Sequence, residues 1–197
     1  MTFPALQQMA KRLQVNEQEL QNIVMNTIMP NGGKGVTNEQ FMTFMAVANE
    51  YRLNPLTKEI YAFPAKGGGI QPIVSIDGWL KVINGHKDFN GMTFDDVRGD
   101  DGKLISIKCK IHKKGIEYPV EVEEYMSECF QPNKEPWQKW PSRMLRHKSA
   151  IQAGRYAFGL SGIIDPDEAE RFKEVGVIDV TPKKAELPHY PEESFSK

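Results

Sequence analysis

The chain has 197 residues, 40% hydrophobic and 26% charged, with a formal net charge of −1, the balance of one soluble domain with an ordinary core, or one domain with a small appendage. It contains no apolar run long enough to cross a bilayer and no charged-then-apolar leader, so a cytoplasmic protein is expected. Cys109 and Cys129 have no metal-ligand spacing and are expected as free buried thiols, not as a disulfide framework.

Pro4 to Gln14 and Asn16 to Ile28 read as two short helices, the second opened by a capping box of Asn16 with Glu19. Pro30 and the glycine-rich run to Gly35 break the chain. Thr37 with Gln40 opens a third helix through about Tyr51, with Phe41, Phe44, Met45 and Ala48 on one face. The period then changes to two. Glu59 to Phe63 and Gly69 to Ser75 read as strands of a hairpin turning through Lys66-Gly67-Gly68. Asp77 is expected to cap a helix holding Trp79, Leu80, Val82 and Ile83.

Three strands follow, Gly91 to Val97, Lys103 to His112 and Ile116 to Glu123, as an antiparallel meander turning at Asp100-Asp101-Gly102 and Lys114-Gly115. In the second, Ile105, Ile107, Cys109 and Ile111 alternate with Ser106, Lys108, Lys110 and His112. In the third, Ile116, Tyr118, Val120 and Val122 alternate with Glu117, Glu121 and Glu123. One face is core, and the other sets lysines against glutamates across strands, which favours a salt-bridged face over a DNA surface. Glu124 to Phe130 is a candidate short helix, and Gln131 to Trp140 reads as a loop. A long helix is expected from Pro141 to about Leu160, ended by Gly162. Asp165-Pro166-Asp167-Glu168 caps a last helix to about Val175, before an aperiodic tail.

Charge is distributed unevenly. Pro136 to Ile164 carries five Lys or Arg and no acid, while Asp165 to Lys197 carries nine acids against five bases, a net of −4. A basic segment followed by an acidic one suits a polyanion site, although a basic helix also suits a solvated face.

The long helix concentrates the chemistry. Lys148 and Arg155 lie two turns apart and only ~20° around the axis, with Gln152 beside them. Met144 and Ile151 border this stripe on one side, Leu145 and Tyr156 on the other. Ala150, Ala153, Gly154 and Ala157 form an opposite face suited to close packing. Arg143, Arg146 and His147 sit near the first turns. Cations between apolar positions need partners, and this helix supplies no acid. Spacing alone leaves two solutions, carboxylates elsewhere, such as Asp77 or Glu59, or phosphates.

Lys58 and Lys66 flank the first hairpin. Lys66 precedes three glycines, either a phosphate approach or simply a flexible tip. It is not a P-loop, because no Gly-Lys-Ser/Thr follows at the required spacing. The acids Asp95-Asp96, Asp100-Asp101 and Asp165-Asp167-Glu168 are accounted for by turn and capping chemistry rather than by Mg²⁺. The histidines share no spacing with Cys or acids. No cofactor, catalytic metal or enzyme activity is therefore expected.

Four blocks, Leu53 to Pro64 (LNPLTKEIYAFP), Val74 to Trp79 (VSIDGW), Arg143 to Lys148 (RMLRHK) and Ala157 to Gly162 (AFGLSG), resemble the Red beta/RecT family of phage single-strand annealing proteins, in order and with near-constant spacing from about Phe41 to Phe172. The resemblance implies binding of single-stranded DNA and annealing to a complementary strand without ATP, as rings or helical filaments. It implies an α+β fold, a small antiparallel sheet and hairpin packed against helices, distantly like Rad52, with a long basic helix. It carries the family's DNA-contacting bases to Lys58, Lys66, Arg143, Lys148 and Arg155, with Arg146 and His147 in the same block.

Where the family has a Lys, this chain has Ser142, so Lys139 or Lys134 is left to supply that charge. The family also continues past residue 197 with a helical domain for a phage exonuclease and the host single-strand binding protein, the implied partners; truncation and absence of those partners both remain open. Residues 1–176 are expected to form the DNA-binding and oligomerisation domain, and 177–197 a polar tail or the start of a further region. A passive single-strand binder and a metal-dependent nuclease are the alternative functions.

Overall fold

The computed structural model describes residues 4–65 and 69–175, the last five by backbone alone. The hairpin tip at Lys66 and the polar tail lie outside these.

Three N-terminal helices, α1 (Pro4–Leu13), α2 (Glu17–Ile23) and α3 (Asn38–Glu50), build one side of the core. Their starts obey the caps read from sequence. The Asn16 side chain accepts from the backbone of Gln18 and Glu19. Thr37 and Gln40 bond reciprocally, Thr37 N–H donating to Oε1 at 3.0 Å and Gln40 N–H to Oγ1 at 3.3 Å, an arrangement that stabilises a helix by about 1 kcal/mol. A π-helical turn, Val24–Ile28, continues α2 where a plain helix was expected. Leu6, Met9, Leu20, Val24, Phe44 and Met45 pack together with almost no exposure.

Strands β1 (Ile60–Pro64) and β2 (Ile70–Val74) pair antiparallel as the predicted hairpin. Helix α4 (Ile76–Asn84) follows, capped by Ser75, whose hydroxyl accepts from Gly78 N–H at 3.2 Å; Asp77 sits in the first turn instead. Gly78 lies against the hairpin: a Cβ there would stand 2.3 Å from the Glu59 carbonyl oxygen. Only a bare Cα permits α4 to start so close to β1.

The meander is β3 (Phe89–Arg98), β4 (Leu104–Lys113) and β5 (Val120–Tyr125), antiparallel in that order. Its polar face is salt-bridged as expected: Lys110 meets Asp95 at 2.9 Å and Glu121 at 3.7 Å, and Lys108 meets Glu121 and Glu123 at 3.7 and 3.8 Å. Two expectations shift. A bulge between the Val97–Ser106 and Arg98–Leu104 pairs turns Ile105 outward, 47% exposed, and buries Ser106. β5 begins only at Val120, so Ile116 and Tyr118 lie in the connection and are exposed.

Helix α5 (Met126–Cys129) falls within the segment expected as a short helix, whereas α6 (Glu135–Lys139) forms inside the expected loop. α6 brings Trp137 into the core beside Ile107 and Leu145. Helix α7 (Pro141–Phe158) then crosses β4 and β5, and ends at Gly159, left-handed at φ 65°, rather than at Gly162. Its small-residue face packs as anticipated: a Cβ on Gly154 would reach 2.6 Å from the buried Ile83 side chain. Ile164 then bridges to Ile73 in parallel, its carbonyl accepting from Val74 N–H at 2.9 Å. This anchors the start of α8 (Pro166–Val175) beneath α7. Both cysteines are buried, Cys129 Sγ donating to Glu124 at 3.2 Å, and burial pushes the Cys109 thiol up to about 12.

Candidate nucleic-acid interface

The hairpin, the start of α4 and helices α6, α7 and α8 enclose a cleft of about 500 Å³. Two adjacent rows of α7 line it, Arg143 with His147 (i, i+4) and Met144 with Lys148 and Ile151 (i, i+4, i+7). Lys134, Tyr61 and Trp140 also line it.

Lys148 is only 8% exposed and does not lack an acid. Its ammonium donates to both oxygens of Asp165, at 2.7 and 2.8 Å, and stands 3.4 Å from Asp167. Asp165, 2% exposed, also accepts from the backbone N–H groups of Asp167 and Glu168. One carboxylate thus caps α8 and neutralises the cation on α7. Two turns on, the Arg155 guanidinium donates to both oxygens of Glu168, 2.7 Å on one arm, and to the Ile163 carbonyl at 3.0 Å, and lies 5.0 Å over Trp79.

Of the two solutions that spacing left open, the structure shows internal carboxylates. The acids come neither from α7 nor from Asp77 or Glu59, but from the cap of α8. Glu59 instead receives Lys81 at 2.6 Å. Sequence reasoning had explained Asp165 and Glu168 by capping alone. The available signal was the abrupt charge reversal at Asp165, immediately after the basic segment.

Arg143 and His147 differ from Lys148. Arg143 is exposed and stacks over the Trp140 ring at 5.1 Å, and among the described residues no carboxylate pairs with it. His147 is half-buried. Burial first, then Arg143, hold its imidazole below the ordinary histidine range, against the opposite pull of Asp77 and Asp167. Tyr61 is pushed up to about 12 by burial and by Asp165, Asp167 and Glu170, so its hydroxyl stays protonated.

The remaining predicted bases lie elsewhere. Arg146 points to the sheet, 2.8 Å from Asp96 and over Phe94. Lys58 is exposed in the turn before β1, with a left-handed φ of 59°. Lys66 lies outside the described residues. Of the two lysines considered as substitutes for the charge at Ser142, Lys134 reaches the cleft but pairs with Glu170, and Lys139 pairs with Glu135 within α6. Asp95 and Asp96 lie within β3, not at a turn, and face Lys110, Arg98 and Arg146. Among the described residues no group of three His, Cys, Asp or Glu is placed to hold a metal ion, and no helix is long and apolar enough to cross a membrane.

A model of the RecT family matches residues 15–180, which takes in every cation at the cleft. The recombination protein bet of Escherichia phage lambda is 42% identical over 176 residues, covering 84% of this chain. This chain spans 65% of the length of that curated relative. With the family match running through the hairpin, the meander and the basic helix alike, the chain belongs to the RecT family.

Proposed function

We propose that this chain binds single-stranded DNA and anneals it to a complementary strand in phage or prophage recombination, without nucleotide hydrolysis, as a ring or helical filament of many copies. The observation that carries this reading is the family match across residues 15–180, together with the carboxylate-free Arg143 at the mouth of the cleft. Annealing needs no general base or metal, because its chemistry is hydrogen bonding between bases. The protein must hold backbone and leave bases open to pairing, and Lys and Arg supply such a sequence-independent hold. A single cleft covers little strand, so neighbouring copies must share it. A phage exonuclease that exposes single strands and the host single-strand binding protein are the partners in this reading.

Arg143, His147, Lys58 and Lys66 are the proposed first phosphate contacts, with Arg146 beside them when it leaves Asp96. Lys148 and Arg155 meet phosphate only in exchange for Asp165 and Glu168, hence after α8 releases them. Arg143→Gln is expected to leave the melting temperature nearly unchanged, to weaken binding of single strands of any sequence, and to lower the salt slope by about 0.7. A binding titration of this variant at several salt concentrations, beside its melting curve, tests the assignment. Unchanged affinity and slope would remove Arg143 from the interface.

His147 adds a pH dependence. Its folded value lies below the unfolded value of about 6.5, so protonation favours the unfolded chain and its contribution to stability is lost as pH falls through that region. A phosphate nearby favours the protonated ring, so binding takes up protons. Affinity for single strands is expected to rise as pH falls from about 7.5 to 6, and to rise less in His147→Gln. Equal pH profiles for both proteins would exclude His147 as a phosphate contact.

A further inference from the structure

Chemistry at the cleft mouth is not that of a phosphate groove alone. The chain has three tryptophans. Trp79 and Trp137 are fully buried, whereas Trp140 is 48% exposed on the cleft wall. It sits at the N-cap of α7, its ring fixed beneath the Arg143 guanidinium at 5.1 Å. The wall beside it is largely apolar, with Tyr61, Pro136, Met144 and Ile151. The acids at the floor are already engaged: Asp165 by Lys148, Glu170 by Lys134, and Asp167 by the Trp137 indole N–H at 3.2 Å.

An apolar wall gives a phosphate nothing in return for its lost water. A flat aromatic body that carries a phosphate fits both halves of this surface, the indole by stacking and the guanidinium by charge. About 500 Å³ is ample for one such body.

Building on the annealing reading, we propose that the cleft takes one nucleobase of the bound single strand, stacked against Trp140, with Arg143 on the adjoining phosphate. Arg143 covers one face of the indole and the base takes the surface left open. Every base has a π-face, so the site accepts any sequence. Each copy then holds one base out of pairing while its neighbours along the strand stay available to the complement.

The test is a cycle on the full chain, with Trp140→Ala and two probes, a thymidine oligonucleotide and an abasic strand of the same length. Loss of a stacked base is expected to weaken thymidine-strand binding by Trp140→Ala roughly tenfold. The abasic strand, already without its base, is expected to bind both proteins alike. In the unaltered chain, the thymidine strand quenches the fluorescence of the solvent-exposed tryptophan and the abasic strand does not. Trp140→Phe retains most of the affinity. An equal loss on both strands would overturn the proposal, because Trp140 would then act only by holding Arg143, and so would no loss on either. Failure of the unaltered chain to bind either strand would overturn the annealing reading as well, which keeps the two failures distinct.

Discussion

Replacing Lys148 by Gln is expected to cost this protein about 3–5 kcal/mol of stability. Asp165 is 2% exposed and takes two of its hydrogen bonds from the Lys148 ammonium, at 2.7 and 2.8 Å. Removing the cation leaves a buried carboxylate with only backbone donors. For a domain of this size, each kcal/mol moves the melting midpoint by roughly 2–4 °C, so the drop should be on the order of 10 °C. A second substitution sharpens the test. Asp165→Asn in the Lys148→Gln background removes the stranded charge as well and should recover part of the loss, because deleting both partners costs less than deleting one. Calorimetry of the two variants reads this directly. If Lys148→Gln melts with the unaltered protein, the pair contributes nothing to the fold, and α8 is not held to α7 through it.

Affinity for single strands is expected to fall steeply with salt. On single strands each neutralised phosphate contributes a slope of about 0.7, so about three contacts per copy, as Arg143, Lys58 and Lys66 would supply, give a slope near 2 and roughly a tenfold or greater loss between 50 and 200 mM salt. Stacking of a base on Trp140 persists at high salt, so a residual affinity should remain there. A titration of one oligonucleotide across that range measures both parts. A flat profile would mean that the strand is not held through its phosphates.

Much of the fold was legible because local chemistry dictates it. Asn16, Thr37 and Gln40 can satisfy the first N–H groups of a helix whatever surrounds them, and the caps stand where the residues put them. Alternating Lys108 and Lys110 against Glu121 and Glu123 likewise fixed the meander and its polar face. Period-two counting failed at Ile105, because a bulge inserts a residue and flips every side chain beyond it. It also overextended β5, since Ile116 and Tyr118 continue the alternation without a partner strand.

At the candidate site the limit was tertiary. The stripe of Lys148 and Arg155 was correct, but a search for acids along one helix could not reach carboxylates 17 and 13 residues further on, which a loop and the Ile73–Ile164 bridge fold back beneath α7. Trp137 and Trp140 both read as aromatics off the apolar faces, yet Trp137 is fully buried and Trp140 is the exposed one. Its place on a cleft wall depended on α6, a one-turn helix inside a segment that read as a loop.

The most direct test of the central claim mixes this chain with two complementary oligonucleotides, without nucleotide and with or without Mg²⁺, and follows duplex formation and strand length together. The account predicts duplex formation faster than the spontaneous rate, independent of Mg²⁺, with both strands intact. Strand protection without acceleration, or Mg²⁺-dependent shortening of the strands, would contradict it.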